Sequence, residues 1–318
     1  NEIGLPMTLW QLSDGHDRAV LEMGFYVPGE IQFLCDLAKP TVGVLTTIGT
    51  VHAERAGSQE EIARGKAELV QALPPAPEGV AILNYDDALI REMAKDTDAR
   101  IFYYGLNPEA DLWADQVEGL GLDGIKFRLH YQGEEIYLKV PLIGRHSVHT
   151  VLRATAVCLV EGLSWEEISW GLRSEHTQLR LVAVKASSGA MILDDTYNAS
   201  PKSMLADLNL LEEMDGRKVA VLGDMLELGR YEDQGHQKVG IRAAEVADVL
   251  VTVGERAITI AQAAERTGLD SSRIHSYQNS LAATEFLQEF LSDGDVVLIK
   301  GSRGMRMDKI VAALEVES

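Results

Sequence analysis

Short apolar runs alternate with helix-period segments along this chain, and the alternation occurs twice. Parallel strands cannot be joined by a tight turn, so each pair needs a crossover, usually a helix. The pattern therefore predicts an α/β protein built on parallel sheets. In the first stretch, 18–23 (RAVLEM), 41–48 (TVGVLTTI), 79–84 (GVAILN) and 100–105 read as strands, and 28–38 and 58–73 as helices. Ser58 stands three residues ahead of Glu61, a capping-box spacing, and Pro28 suits a helix start. Then the texture changes. Residues 126–140 alternate apolar and polar around Gln132-Gly133, which predicts an antiparallel hairpin on the sheet's edge. Helices follow at 147–162 and 164–172, the second capped by Ser164 with Glu167 three residues on. After Ser174 the alternation restarts, with strands at 191–194, 218–222, 249–253 and 296–299. At 318 residues two domains are expected, 1–175 and 176–318.

Composition narrows the function. A hydrophobic share of 46% excludes disorder as the dominant state. Lys and Arg number 29 against 49 Asp and Glu, a net charge of −20. Such a field excludes nucleic acid and anionic membrane surfaces as partners through net charge. It suits a protein that holds Mg²⁺ and meets anionic ligands through local cations. Both cysteines, Cys35 and Cys158, lie in apolar stretches and read as buried thiols of a reducing, cytoplasmic compartment. No apolar run approaches the ~18 residues of a membrane span. No signal-peptide pattern opens the chain, which starts at Asn1 inside what reads as a loop.

In open parallel sheets, ligands sit at the carboxyl ends of the strands. Glu22, the stretch 46–52, and Asn84, Asp86 and Asp87 fall there in the first half. Asp194, Asp195, Gly223, Asp224 and Lys300-Gly301-Ser302 do so in the second. Each alone reads more readily as an ordinary loop residue than as part of a site; their recurrence at one topological position is what points to a site. Glu22 and His52 make an oxygen and nitrogen pair suited to Mg²⁺, which keeps waters and takes few protein ligands. The bland reading of His52 is a loop histidine bonded to backbone, and of Lys66 a solvated helix face. A phosphate-cradling G-x-x-x-x-G-K-[ST] motif is absent from the sequence, as are CxxC, HExxH and G-x-S-x-G. Gly301 to Gly304 is only a glycine-containing turn.

Several ordered segments carry a family resemblance. They include Glu22-Met23-Gly24 with Pro28-Gly29-Glu30, Ile48-Gly49 with His52, and Ala63, Lys66 and Glu68 on one helix. More specific are Asp194-Asp195-Thr196-Tyr197-Asn198-Ala199-Ser200-Pro201, Val221 to Gly229 with His236, and Lys300-Gly301-Ser302-Arg303. Together they resemble the Mur ligases of peptidoglycan synthesis over essentially the whole chain, within them the members that add D-alanyl-D-alanine to UDP-N-acetylmuramoyl-tripeptide. The resemblance implies a central ATPase-type sheet domain and a C-terminal Rossmann-like domain. It implies ATP and Mg²⁺ as cofactors, an acyl-phosphate intermediate, and a monomer. It also implies Glu22, His52 and Lys66 as the catalytic and metal set, with Lys66 as the family lysine that reacts with CO₂ to form a carbamate. Asn84, His146, Arg180, Asp195, Tyr197 and Asn198 are the implied nucleotide-facing set, complete only on domain closure. The family's Gly-x-His-Asn-x-x-Asn pattern is here Gly144-Arg145-His146-Ser147-Val148-His149-Thr150, with two amides replaced by hydroxyls.

The resemblance places the family's phosphate-binding loop and its UDP-substrate domain upstream of Asn1. The expectation is then a middle domain without its first strand, an exposed apolar sheet surface, and no turnover by this polypeptide alone. Relatives of folylpolyglutamate or cyanophycin type, and a non-catalytic module of the same fold, are the competing readings.

Overall fold

The computed structural model describes residues 1–49, 54, 57–173 and 181–315. Packing divides the chain into two units. One comprises Asn1–Val117, Phe127–Leu138 and Val148–Leu172, the other Glu118–Lys126, Lys139–Ser147 and Arg173–Ser318. The strands form two mostly parallel six-stranded sheets, as the alternation predicts.

The first sheet has the order β1 (Val42–Val44), β2 (Val80–Asn84), β3 (Arg100–Gly105), β4 (Leu112–Gly119), β5 (Ile125–Tyr131), β6 (Glu134–Val140). Strands β1 to β4 run parallel. β2 is buried along its whole length, the expected state of a strand covered on both faces. Helices α1 (Gly4–Trp10), α2 (Glu30–Ala38), α3 (Gln59–Gln71), α4 (Ala88–Glu92), α5 (Val148–Val160) and α6 (Trp165–Leu172) complete this part. Ser58 caps α3 by accepting from Glu61 N–H at 3.2 Å. Between β5 and β6, Gln132 and Gly133 both have positive φ, 49° and 85°, the two-residue turn that matches strand twist.

Two expectations for this half need correction. Residues 18–23 are not a strand: they form irregular, mostly exposed chain, with Val20 94% exposed and the Arg18 side chain paired to Glu161. A strand needs a neighbour to take up its backbone groups, and among the described residues β1 is the edge of the sheet. The strand expected over 41–48 ends at Val44: Leu45 N–H still donates to Ile82 C=O at 3.0 Å, but the carbonyls of Leu45, Thr46 and Thr47 and the N–H of Ile48 turn to side chains. The sequence pattern also gives no sign of α1, β4 and α4. Of the two thiols, Cys35 is buried as expected, but Cys158 is only half-buried.

The second sheet has the order β11 (Ile274–Tyr277), β10 (Val249–Val253), β9 (Arg217–Gly223), β12 (Asp295–Lys300), β8 (Met191–Asp195), β7 (Val182–Lys185). All pairs are parallel except β7 on β8. One face packs on α7 (Pro201–Glu213), α8 (Glu232–Val246) and α9 (Ile258–Thr267), through Leu208, Val239 and Ile260. The other packs on α10 (Ser280–Phe290) and α11 (Asp308–Leu314), through Leu287 and Ile310. From β8 the chain steps across β12 to β9 and then moves outward through β10 to β11. Such a reversal opens a crevice at the carboxyl ends of the strands concerned, here β8, β9 and β12.

Candidate functional site

In the first unit, the chain leaving β1 is pinned from several directions. The Tyr104 hydroxyl, fully buried, donates to Leu45 C=O at 3.0 Å. Burial pushes that phenol up to about 12, so it stays a donor. Lys66 Nζ donates to Thr47 C=O at 2.6 Å, and Asn84 Nδ2 to Thr46 C=O at 3.4 Å. Asp87 Oδ2 accepts from Ile48 N–H at 3.0 Å, while its Oδ1 caps α4 through Leu89 and Ile90 N–H. These bonds carry polar atoms that a ladder partner would otherwise satisfy.

The expected site residues of this unit fall into three groups. Lys66 and Asn84 share that strand-end segment; Asn84 is 3% exposed, and its Oδ1 accepts from Asp86 N–H at 3.0 Å. Glu22 lies in exposed irregular chain, not at a strand end. Three residues on, the Phe25 ring packs so tightly on Gly65 of α3 that any Cβ there would overlap it, which seats this stretch beside Lys66. His52 lies outside the described residues. Among the described residues no three His, Cys, Asp or Glu groups converge as a cation cage. A Glu22 carboxylate open to solvent fits Mg²⁺, which binds through one or two carboxylates and water. The Lys66 ammonium, a donor to Thr47, does not fit as a ligand in that form. Glu68, two residues beyond Lys66, reaches across to α2 and accepts from Gly29 N–H at 2.6 Å and Gln32 N–H at 2.9 Å. It thereby neutralises the unpaired N–H groups that open that helix.

In the second unit, Asp195 ends β8 and Lys300 ends β12, directly opposite each other in the parallel register. Lys300 is 1% exposed, and its ammonium bridges Asp195 and Asp207, the latter at 2.9 Å. Asp207 is 3% exposed on α7. Burial pushes its carboxyl up to about 7, opposed by the Lys300 charge and assisted by that of Asp195. His146 stands close to this pair. Although it keeps an exposed edge, crowding by the protein lowers its pKa, and the nearby Lys300 charge adds to the effect. Asn198 Oδ1 accepts from Ala199 N–H at 2.9 Å, and Tyr197 is exposed with the Arg303 guanidinium 5.9 Å from its ring centroid. Ser200 then caps α7 in a reciprocal box with Ser203, followed by Pro201. The unit thus brings together Asp195 and His146, with Asn198 and Tyr197 on the same strand-end loop as Asp195. Arg180 lies outside the described residues.

Neighbouring strand ends are tied together. Asp224 Oδ1 accepts from Ala257 N–H at 2.7 Å, with Gly254 at φ 111° so close that a Cβ would meet the carboxylate. His236, fully buried, accepts at Nε2 from Met225 N–H at 3.1 Å, which leaves Nδ1 as the nitrogen that donates to Glu232 C=O at 2.8 Å. Ser302 Oγ accepts from Leu226 N–H at 2.8 Å. The loops after β9, β10 and β12 are therefore one hydrogen-bonded rim.

Sequence reasoning missed Asp207 and Tyr104. For Asp207 a signal existed: it sits on the stripe Met204, Leu208, Leu211 of α7, where an unpaired carboxylate would be costly. Tyr104 carries no such mark, because a tyrosine in an apolar strand is ordinary.

The Mur ligase middle domain matches residues 1–158, and the family described as Mur ligase, glutamate ligase domain matches residues 179–303. A Synechocystis protein named UDP-N-acetylmuramoyl-tripeptide--D-alanyl-D-alanine ligase is 36% identical over 321 residues, covering 100% of this chain and 67% of the relative. A Bacillus subtilis protein of the same name is 34% identical, covering 99% and 68%. The crystal structure of MurF from Acinetobacter baumannii superposes with a TM-score of 0.86 at 31% identity, covering 98% of this chain and 68% of that one. MurF ligase from Thermotoga maritima, solved in complex with ADP, gives 0.83 at 25% identity, covering 98% and 70%. The chain thus spans about two thirds of the length of these relatives. Two parallel sheets, a buried charge group where the second reverses, and this continuous likeness lead to one conclusion: the chain belongs to the Mur ligase family of enzymes.

Proposed function

We propose that this protein joins D-alanyl-D-alanine to UDP-N-acetylmuramoyl-tripeptide at the expense of ATP, a step in making peptidoglycan precursors. The likeness to two relatives of that name, 36% and 34% identical along the chain, carries the reading. In this reaction the γ-phosphoryl group of ATP passes to the tripeptide carboxylate. The dipeptide amine then attacks the acyl phosphate, and phosphate leaves as the amide forms. Residues 1–175 act as the ATP-binding middle domain and 176–318 as the Rossmann-like C-terminal domain. The protein works as a monomer in the cytoplasm.

Asn84, His146, Arg180, Asp195, Tyr197 and Asn198 face the nucleotide, and Glu22 and His52 would hold Mg²⁺. Mg²⁺ supplies charge neutralisation for the phosphoryl group. Lys66 enters as a cation at the strand-end segment or, once its ammonium has released two protons and its nitrogen has bonded to the carbon of CO₂, as an anionic carbamate oxygen donor. Asn84 orients the segment after β1 through Thr46, and Asp87 does so through Ile48.

The test is phosphate release by the gene product expressed from its complete reading frame. Release from ATP that requires both the UDP-tripeptide and D-alanyl-D-alanine is the expected result. Release with a single amino acid in place of the dipeptide moves the protein to another branch of the family, and release that ignores both substrates overturns the reading.

A further inference from the structure

We propose that Lys300 and Asp207 are positioning residues for Asp195, forming a buried charge clamp that couples nucleotide binding at Asp195 to proton occupancy at Asp207. The inference rests on the reading above, in which Asp195 faces the nucleotide.

The geometry is specific. The Lys300 ammonium has 1% of its surface exposed and two carboxylate partners from different elements, Asp195 on β8 and Asp207 on α7. Side chains of β8 and β12 that pair in register need no helix to bring them together; the third member arrives only because α7 crosses over β12. With both carboxylates ionised the group carries one net negative charge, and with Asp207 protonated it carries none. Asp207 titrates near neutrality because it is buried and faces Asp195 as well as Lys300. At the carboxyl end of α7, Glu213 pairs with Arg145 at 2.8 Å. His146 approaches Lys300 and Asp195 from the turn after β6. Arg242 of α8 meets α7 at Asn209 and Glu212, on its exposed side. β9 contributes Ala220 and Leu222 to the same core, neither of them charged.

Two consequences follow. Loss of the Asp207 proton divides the Lys300 ammonium between two anions and loosens its hold on Asp195. The same loss places an extra negative charge next to an anionic ligand. Both effects weaken nucleotide binding as pH rises, and binding an anion in turn favours the protonated carboxyl, so protons are taken up.

The experiment measures ADP affinity of the intact gene product by calorimetry, from about one unit below to about one unit above the Asp207 midpoint. Wild type is expected to lose about fivefold in affinity across that range. Asp207→Asn keeps an acceptor for Lys300 but cannot titrate, and it leaves His146 and the nucleotide's own phosphate titration in place. It is expected to lose the extra pH dependence, and under turnover the change falls on KM for ATP rather than on kcat. Identical profiles for wild type and Asp207→Asn overturn the clamp. Should that variant fail to fold, the ¹³C shift of the Asp207 carboxyl in wild type decides: a midpoint that rises on adding ADP supports the clamp, and one that does not move overturns it. Asp195→Asn tests the underlying reading separately: unchanged ADP affinity in a folded variant removes Asp195 from the nucleotide site.

Discussion

At the end of β12 a lysine with almost no exposed surface stands between two carboxylates, and its removal exposes the physics most directly. Lys300→Met leaves Asp195 and Asp207 uncompensated in the interior, and the expected cost is roughly 3–5 kcal/mol, read as a lowered urea midpoint. Asp207 also links stability to pH with a defined sign. Its pKa is raised from 3.8 to about 7 on folding, so the folded protein holds a proton there that the unfolded chain has released. The contribution is therefore fully present below about pH 4 and is lost as pH rises through the folded value. Urea titrations of wild type minus Asp207→Asn should fall across that window; a flat difference would refute the assignment. In the first unit, Lys66→Ala is expected to lower kcat by at least ~10²-fold while leaving the melting temperature nearly unchanged. Lys66→Arg separates the two roles of this residue, because guanidinium keeps the charge but forms no carbamate. Cys35 is buried, and burial with the nearby Asp36 and Glu68 charges pushes its thiol up to about 11. It should resist thiol reagents at neutral pH until the protein is denatured.

At the scale of elements, caps and pinned strand ends carry the local stability. Asp87 both caps α4 and holds Ile48 N–H, so Asp87→Ala should cost about 1–2 kcal/mol and raise hydrogen exchange at Ile48. Ser200→Ala, which breaks the capping box of α7, should cost about 1 kcal/mol in the same denaturation assay. The caps at Ser58 and Ser164 were legible in the sequence, because Ser58–Glu61 and Ser164–Glu167 are signals confined to a single turn of chain. The strand expected at 18–23 failed for a different reason. Its apolar content was read correctly, but a strand exists only where a neighbour takes up its hydrogen bonds, and 18–23 have none among the described residues. The short β1 fails halfway for a related cause: Tyr104, Lys66 and Asp87 offer its last residues better-placed partners than the ladder does.

For the molecule as a whole, a net charge of −20 sets how stability responds to the medium. Raising ionic strength from low to physiological levels should raise the melting temperature, since screening relieves repulsion among the excess carboxylates. Acid should act the other way through Asp295, whose pKa is lowered: burial opposes the charge, but the two-pronged Arg217 pairing at 2.7 and 2.6 Å outweighs it. That contribution is present above the ordinary carboxylate value and is lost as pH falls through the lowered one. Arg217→Lys, which cannot make the fork, should move acid unfolding to higher pH. The amino-acid order alone determined the fold class, most strands and helices, their caps, and the family, because periodicity and turn chemistry are written within windows of a few residues. Only the tertiary structure decided strand order, the fate of 18–23, and the meeting of Lys300 with Asp195, 105 residues away, and with Asp207. Burial, not local spacing, shifts the protonation of Asp207, and burial exists only once β8, β12 and α7 have packed.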